Sequence, residues 1–172
     1  MRFVNPFKRN SNGQFEDVIK LRGRVEVGLY DPEGKLLEYR RQDNTVVTSG
    51  RSYVLSRIQS SSPQADVINA IAVGTSITAP TTGDTLLNSE VSSTNSGRLA
   101  IALFVTGGLT NNPPSWQAQV TYATNQANTT LGEAGLFNST GNNSQTMLSH
   151  VTFATINKTT SNTLAISYTI SN

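Results

Sequence analysis

Residues 18–41, VIKLRGRVEVGLYDPEGKLLEYRR, alternate in character: Val25, Val27 and Leu29 stand against Arg24, Glu26 and Gly28. A period of two is what a half-buried strand requires. The tetrapeptide Asp31-Pro32-Glu33-Gly34 interrupts the run, with Pro32 presetting φ and Gly34 accepting a positive φ. The pattern predicts a β-hairpin with strands over 18–30 and 35–41. In NTVVTSGRSYVLSRIQSSSP the period changes. Thr48 or Ser49 is placed to cap a helix, Val54, Leu55 and Ile58 fall on one face, and SSSP ends it. A short helix near 49–59, packing on a sheet, is the expectation.

From residue 67 the chain reads as short apolar runs separated by Gly, Asn, Pro and Thr: VINAIAVG, RLAIALFVTG, WQAQVTYAT, TTLGEAGLFN, TMLSHVTFATI and TLAISYTIS. The last two and WQAQVTY alternate as half-buried antiparallel strands do, and Asn112-Pro113-Pro114 cannot continue a ladder. The predicted fold is mainly β, an antiparallel β-sandwich or barrel with one short helix. It occupies residues 44–172. A β-hairpin (18–43) and an extended N-terminal arm (1–17) precede it.

Charge is unevenly divided. Residues 1–57 hold 11 of the 13 Lys and Arg and 7 of the 11 Asp and Glu; of the other 115 residues, 48 are Ser, Thr or Asn. The larger part of the chain therefore expects a polar, weakly charged surface, more usual on assembled or carbohydrate-facing proteins than on cytosolic monomers. The arm mixes Phe3, Phe7 and Phe15 with Arg2, Lys8 and Arg9. Three aromatics suit an arm that orders against a partner. The acids of the hairpin interrupt its basic residues, which argues against nucleic acid. No run is long and apolar enough for a membrane helix, and MRFVNPFKRN lacks the pattern of a secretory signal. The absence of cysteine excludes disulfides and thiolate chemistry and fits synthesis in a reducing cytoplasm.

Candidate chemistry is sparse. His150 is the only histidine, Glu133 is the only acid after Glu90, and no GxSxG elbow is present. The carboxylates Asp66, Asp84, Glu90 and Glu133 are not paired by the sequence, and the 84–90 loop lacks the oxygen-ligand spacing of a calcium loop. AVGTSITAP lacks the Lys-Ser/Thr of a phosphate loop. The reading is no catalytic residue, no metal site and no cofactor. His150 is expected to be a strand residue whose ring nitrogens are satisfied locally. Glu133, between Gly132 and Gly135, is expected to accept backbone N–H bonds from a neighbouring loop as a structural anchor.

Three stretches in order resemble a structural module of tailed-bacteriophage virion proteins, found in capsid-decoration (cement) proteins and in tail-fibre or baseplate proteins. NTVVTSGR carries its N-x-V-V-x-x-G-R pattern through Asn44, Val46, Val47, Gly50 and Arg51. INAIAVGTSITAPTTGDTLLNSE is similar to its I-x-x-I-A-V-G-T-G-T-x-A-P-x-x-x-D-T-x-L-x-x-E stretch, through Ile71, Gly74, Thr75, Pro80, Asp84, Thr85, Leu87 and Glu90. The ending, LGEAGLFN onward, matches at Glu133, Gly135, Phe137, Met147, Phe153, Lys158 and Ile166. Ser76 replaces a glycine, Tyr168 a tryptophan, and His150 stands where arginine is usual. An acid–arginine pair there would be lost at neutral pH.

The resemblance implies a non-enzymatic virion protein, made in the host cytoplasm, whose partners are the major capsid protein or other virion proteins. It implies a homo-oligomer, with a trimer favoured. A capsid-decoration role is preferred because the chain is short and has no fibre shaft, and because its basic arm suits an acidic lattice. A tail, collar or fibre-adaptor role is the alternative. Host glycan recognition through Trp116, Tyr122 and the 138–145 loop belongs to that alternative. Glu133, Gly135, Phe137 and Gly74 are the expected anchors, and Arg2, Phe3, Phe7, Lys8, Arg9 and Phe15 the partner-binding residues.

Overall fold

Ten strands among the described residues form two five-stranded antiparallel sheets around a shared core. The computed structural model describes residues 21–58, 66–92, 96–105, 107–110, 114–141 and 145–172. The expected arm, with Arg2, Phe3, Phe7, Lys8, Arg9 and Phe15, lies outside them. The strands are β1 (Arg22–Tyr30), β2 (Leu36–Asp43), β3 (Thr45–Val46), β4 (Ala70–Gly74), β5 (Arg98–Ala100), β6 (Leu103–Val105), β7 (Ser115–Tyr122), β8 (Thr130–Phe137), β9 (Met147–Asn157) and β10 (Thr163–Ser171), with helix α1 at Thr48–Ser56. The first sheet runs β2-β1-β10-β7-β6 and the second β3-β9-β8-β4-β5. The mainly β architecture read from the sequence is what the structure has.

Alternation explains the first sheet. Along β10, Leu164, Ile166, Tyr168 and Ile170 point inward while the residues between them are half-exposed. Val25, Val27 and Leu29 do the same on β1. The hairpin expected to precede the sandwich is continuous with it: β1 pairs with β10 over nine residue pairs, from Arg22↔Ser171 to Tyr30↔Thr163. Gly34, with φ of +80°, closes the β1–β2 turn.

Two local expectations are corrected. RLAIALFVTG reads as one strand but becomes β5 and β6 in different sheets. The chain crosses at Ile101, whose N–H bonds Asn69, and Ala102, whose N–H bonds Gln119. From Leu99 to Val105 every side chain is apolar, so alternation could not show the break. Helix α1 forms, but its packing face is Tyr53 and Val54, with Leu55 and Ile58 60% and 70% exposed. Neither Thr48 nor Ser49 caps it; Val47 is the N-cap residue and makes no side-chain cap bond. Ser49 Oγ instead donates to the Met147 carbonyl. Gly50 sits where a Cβ would overlap the Leu148 backbone, so the helix lies closely on β9.

The centre of the second sheet is buried on both faces. Every β8 residue from Leu131 to Phe137 is buried. Its inner face joins the main core. Its outer face carries a smaller apolar cluster of Val47, Ala70, Ala72, Leu87, Phe137 and Met147 beneath the 75–91 segment. Among the described residues no helix is long and apolar enough to cross a membrane.

Ile166→Ala, at a site 1% exposed, is expected to cost about 2–5 kcal/mol of stability by loss of buried methylenes. Leu55→Ala should stay within about 0.5 kcal/mol, whereas a helix packed on Leu55 would lose far more. Denaturant midpoints of the two variants measure this.

Candidate functional site

The 75–91 segment crosses the outer face of the second sheet and is tied to it at its ends and in the middle. Thr75 N–H bonds the Ser89 carbonyl and Val91 N–H the Val73 carbonyl. Close to both ends, Glu133 of β8 reaches out of the sheet. Its Oε1 accepts the N–H of Ser89 at 2.7 Å and of Ser76 at 3.4 Å, and Oε2 accepts that of Asn88 at 3.0 Å. Gly74 stands against this carboxylate, and a Cβ there would overlap Glu133 Oε1 and the Ser89 carbonyl. The residue pair Gly74–Glu133 is a register pair of β4 and β8, so the small residue makes room for the charged one beside it.

His150 of β9 completes the arrangement. It lies opposite Gly135 in the β8–β9 register. Its Nε2 is 2.9 Å from Glu133 Oε2 and its Nδ1 2.7 Å from Asp84 Oδ2. The His150 and Glu133 side chains are 0% exposed and Asp84 17%. Asp84 is itself held by Thr81, which donates to it from its backbone N–H at 2.9 Å and its hydroxyl at 2.6 Å. Ionised carboxylates only accept hydrogen bonds, so both ring nitrogens must donate and the ring is an imidazolium.

The electrostatics agree with that geometry. Burial disfavours the charged ring, but the bonds to Glu133 and Asp84 outweigh it and raise the His150 pKa. Burial likewise opposes ionisation of Glu133, yet bonds from His150, Ser89 and Asn88 hold its carboxyl below the usual range. Asp84 is also lowered: burial is the largest opposing influence and the Thr81 bonds overcome it, helped by His150. The acid–base pair expected to be lost with arginine is therefore carried by a protonated histidine.

Two further cations are buried, one in an ion pair and the other held by hydrogen bonds alone. Arg98, at the start of β5, makes a two-point contact with Glu90, Nε to Oε1 at 2.8 Å and Nη2 to Oε2 at 2.6 Å. Its Nη1 donates to the carbonyls of Ser139 and Gly141 and to the Gln145 side chain. The guanidinium lies 4.0 Å from the centre of the Phe137 ring. Phe137 is thus the platform for a cation that fastens the β8–β9 loop. Lys158, 1% exposed, donates to the Ala123 carbonyl at 2.7 Å and Asn128 Oδ1 at 3.0 Å. Burial lowers its pKa.

This arrangement can hold a loop, but it has little room for acid–base turnover. A hydrolytic histidine must present one nitrogen to a nucleophile, and here both nitrogens are committed to carboxylates. Among the described residues no group of three or more His, Cys, Asp or Glu side chains is arranged to hold a metal ion. The imidazole lies between the two acids. Tyr122, considered for glycan contact, is fully buried, its hydroxyl donating to Ile71 and Gly97 carbonyls. That role is withdrawn. Trp116 is half-buried and faces Phe104 across 6.1 Å.

Asp84 and Arg98 were not recognised as parts of these networks. A signal existed: residues 58–172 contain only six Asp, Glu, Lys or Arg side chains. So sparse a charge in an apolar chain is costly inside unless paired, and five of the six are paired or hydrogen-bonded in the structure. In comparison with known proteins, no family model, no curated sequence and no solved structure matches the chain.

The raised His150 pKa stabilises the fold below the ordinary imidazole value of 6.5 and ceases to do so as pH rises through the folded value. The lowered carboxyls stabilise above their ordinary values of 3.8 and 4.5 and cease to do so as pH falls through the folded ones. The contribution of the three groups to Tm is therefore expected to be largest between pH 4.5 and 6.5 and to decline on either side. His150→Gln should lower stability at pH 6 by about 3–5 kcal/mol, because two carboxylates lose their cation, and should flatten the alkaline decline. Thermal melts across pH for both proteins measure this.

Proposed function

We propose that this protein is a non-enzymatic structural component of a phage virion, a capsid-decoration protein that binds between major capsid protein subunits and stabilises the shell. The motif resemblance supports the class. The observation that carries the manner of binding is the distribution of charge. Of the charged side chains in 66–172, Asp66 is exposed, while Asp84, Glu90, Arg98, Glu133 and Lys158 are turned into networks. The surface these residues leave outside is neutral and hydroxyl-rich. Such a surface suits close contact with other protein, since little charge must be desolvated on binding.

Positive charge collects instead where the chain enters the sandwich. A cleft of about 620 Å3 there is lined by Arg22, Arg24, Arg41 and Arg51 against Glu26 and Asp43. Arg24 and Arg41 are paired with Asp43 and Glu26 at 3.3 and 3.7 Å. Among the described residues Arg22 and Arg51 have no ion-pair partner. With Arg2, Lys8 and Arg9 on the preceding arm, the cleft favours an acidic protein lattice. Self-association into a homo-oligomer, with the trimer as the expected state, is supported by the two outer strands of the first sheet, which carry exposed apolar side chains. Strand β2 exposes Leu36, Leu37 and Tyr39, and β6 exposes Leu103, Phe104 and Val105.

Copy number in purified particles tests the reading. Hundreds of copies, in a simple ratio to the major capsid protein, are expected; a few copies in threes, sixes or twelves would assign the chain to a tail or neck. Arg22→Glu with Arg51→Glu should cut retained copies by about tenfold, equivalent to about 1.4 kcal/mol, and the loss should shrink as the wild type weakens in salt.

A further inference from the structure

The solvent face of the first sheet is not flat. Its outward positions fall into rows across the strands, Tyr39, Gly28, Ala165 and Thr121 in one and Arg41, Glu26, Ser167 and Gln119 in the next. Gly28, Ala165 and Ser167, on β1 and β10, are small, and the side chains around them are large. The result is a depression of about 270 Å3. That is nearly twice the roughly 150 Å3 of a cavity that accepts benzene.

Its walls carry two kinds of chemistry. Tyr30 lies flat at one side: a Cβ on Gly28 would stand 2.8 Å from its Cε2 and from its hydroxyl oxygen, so the ring covers the glycine. Tyr30 is only half-buried, which leaves the other face of the ring open. Tyr39, 47% exposed, stands opposite Gly28 and donates to Glu26 Oε1 at 2.8 Å. Arg41 reaches the same oxygen at 3.7 Å. Among the described residues Oε2 of Glu26 has no hydrogen bond or ion pair. Across the depression Gln119 Nε2 donates to Gln117 Oε1 at 3.1 Å, which leaves Gln119 Oε1 as an acceptor. Ser167 pairs in register with both Glu26 and Gln119. Its hydroxyl is closed off from water and makes no hydrogen bond, and so unsatisfied a group calls for a reason.

We propose that this depression binds one pyranose unit of a glycan, with the C–H face of the sugar on the tyrosines and its hydroxyls between Glu26 and Gln119. A pyranose has both characters the walls have. Its C–H groups meet the negative face of an aromatic ring, and each of its hydroxyls can donate and accept. Glu26 Oε2 and Gln119 Oε1 take the donated protons, and the Ser167 hydroxyl gains a partner when either side chain turns to the ligand. A few placed polar groups over an apolar floor are what small-ligand sites generally show.

Charge narrows the choice further. Glu26, which also borders the arginine cleft, is the one charged side chain on the wall of the depression. A phosphate or a carboxylate would meet a carboxylate there. A cation gains little, because Arg41 already offsets Glu26. A neutral, hydroxyl-rich ligand meets neither penalty. The proposal does not depend on the virion reading, and it places glycan contact on the outer sheet face rather than at Trp116.

Amide chemical-shift mapping of the full chain tests it, with the methyl glycosides of glucose, galactose, mannose and N-acetylglucosamine as probes. At least one is expected to shift the amides of Gly28, Tyr30, Tyr39, Gln119 and Ser167 to saturation. Glu26→Gln keeps the shape and should weaken that binding by about tenfold, because a charge-assisted hydrogen bond becomes a neutral one. Ala165→Val fills the floor with a residue suited to strands and should abolish binding without lowering Tm. No saturable shift with any of the four probes overturns the proposal, as do shifts centred elsewhere on the molecule. Undiminished binding by Glu26→Gln, or by a folded Ala165→Val variant, overturns it as well. Tetramethylammonium separates a sugar from a cation: if it shifts the same amides and saturates at lower concentration than every glycoside, the site is an aromatic cage for a cation and the proposal falls.

Discussion

The imidazolium of His150, held between Glu133 and Asp84, is the contact on which the second sheet depends. The 75–91 segment above it is poor in apolar side chains and cannot stay down through hydrophobic burial alone; Leu87 is its main apolar contribution to the cluster beneath. What holds it is a carboxylate rising from the sheet, which accepts backbone N–H groups of Ser76, Asn88 and Ser89. That carboxylate is affordable in the interior only because His150 supplies a buried countercharge. Asp84 links the same cation to the far side of the segment. Loss of the cation would release the segment and open Ala70, Ala72, Phe137 and Met147 to water.

The same physics explains the distribution of charge. A buried charge must be paired or fully hydrogen-bonded, and the networks here fasten three different loops. Glu133 and Asp84 fix 75–91, Arg98 fixes the start of the β8–β9 loop, and Lys158 fixes the turn between β7 and β8 through Ala123 and Asn128. Loops rich in Ser, Thr and Asn have no apolar anchors of their own. Charges spent on holding them leave the outside neutral. Surface charge is then concentrated on the β1–β2 hairpin, where Arg22, Arg24, Lys35, Arg40 and Arg41 are balanced by Glu26, Asp31, Glu33, Glu38 and Asp43.

How much of this could be read from sequence follows from the range of each interaction. Alternation marked β1, β7 and β10, because one face of each meets the core and the other meets solvent. It failed at RLAIALFVTG, where the run changes sheets without changing polarity. It also misjudged α1: the spacing of Val54, Leu55 and Ile58 suggested a face, whereas Gly50 and Tyr53 decide which side meets β9. Glu133 stood out by its isolation among apolar residues and glycines. Asp84 did not, since it is 66 residues from His150 and nothing local distinguishes it from a turn aspartate. Contacts across that separation depend on topology, and the order β3-β9-β8-β4-β5 is not encoded in any short stretch.

The two ends of the sandwich are finished differently. Where β2 approaches β9, the Arg40 guanidinium donates to the carbonyls of Ala154 and Thr155 and pairs with Glu38. This covers a strand edge that β3, only two residues long, leaves bare. At the other end nothing comparable spans the sheets among the described residues: an apolar groove and the arginine cleft lie side by side and share Leu21 and Val46. Among the described residues the sandwich is therefore asymmetric: one end is fastened by a guanidinium on strand carbonyls, and the other sets an arginine cleft beside apolar side chains.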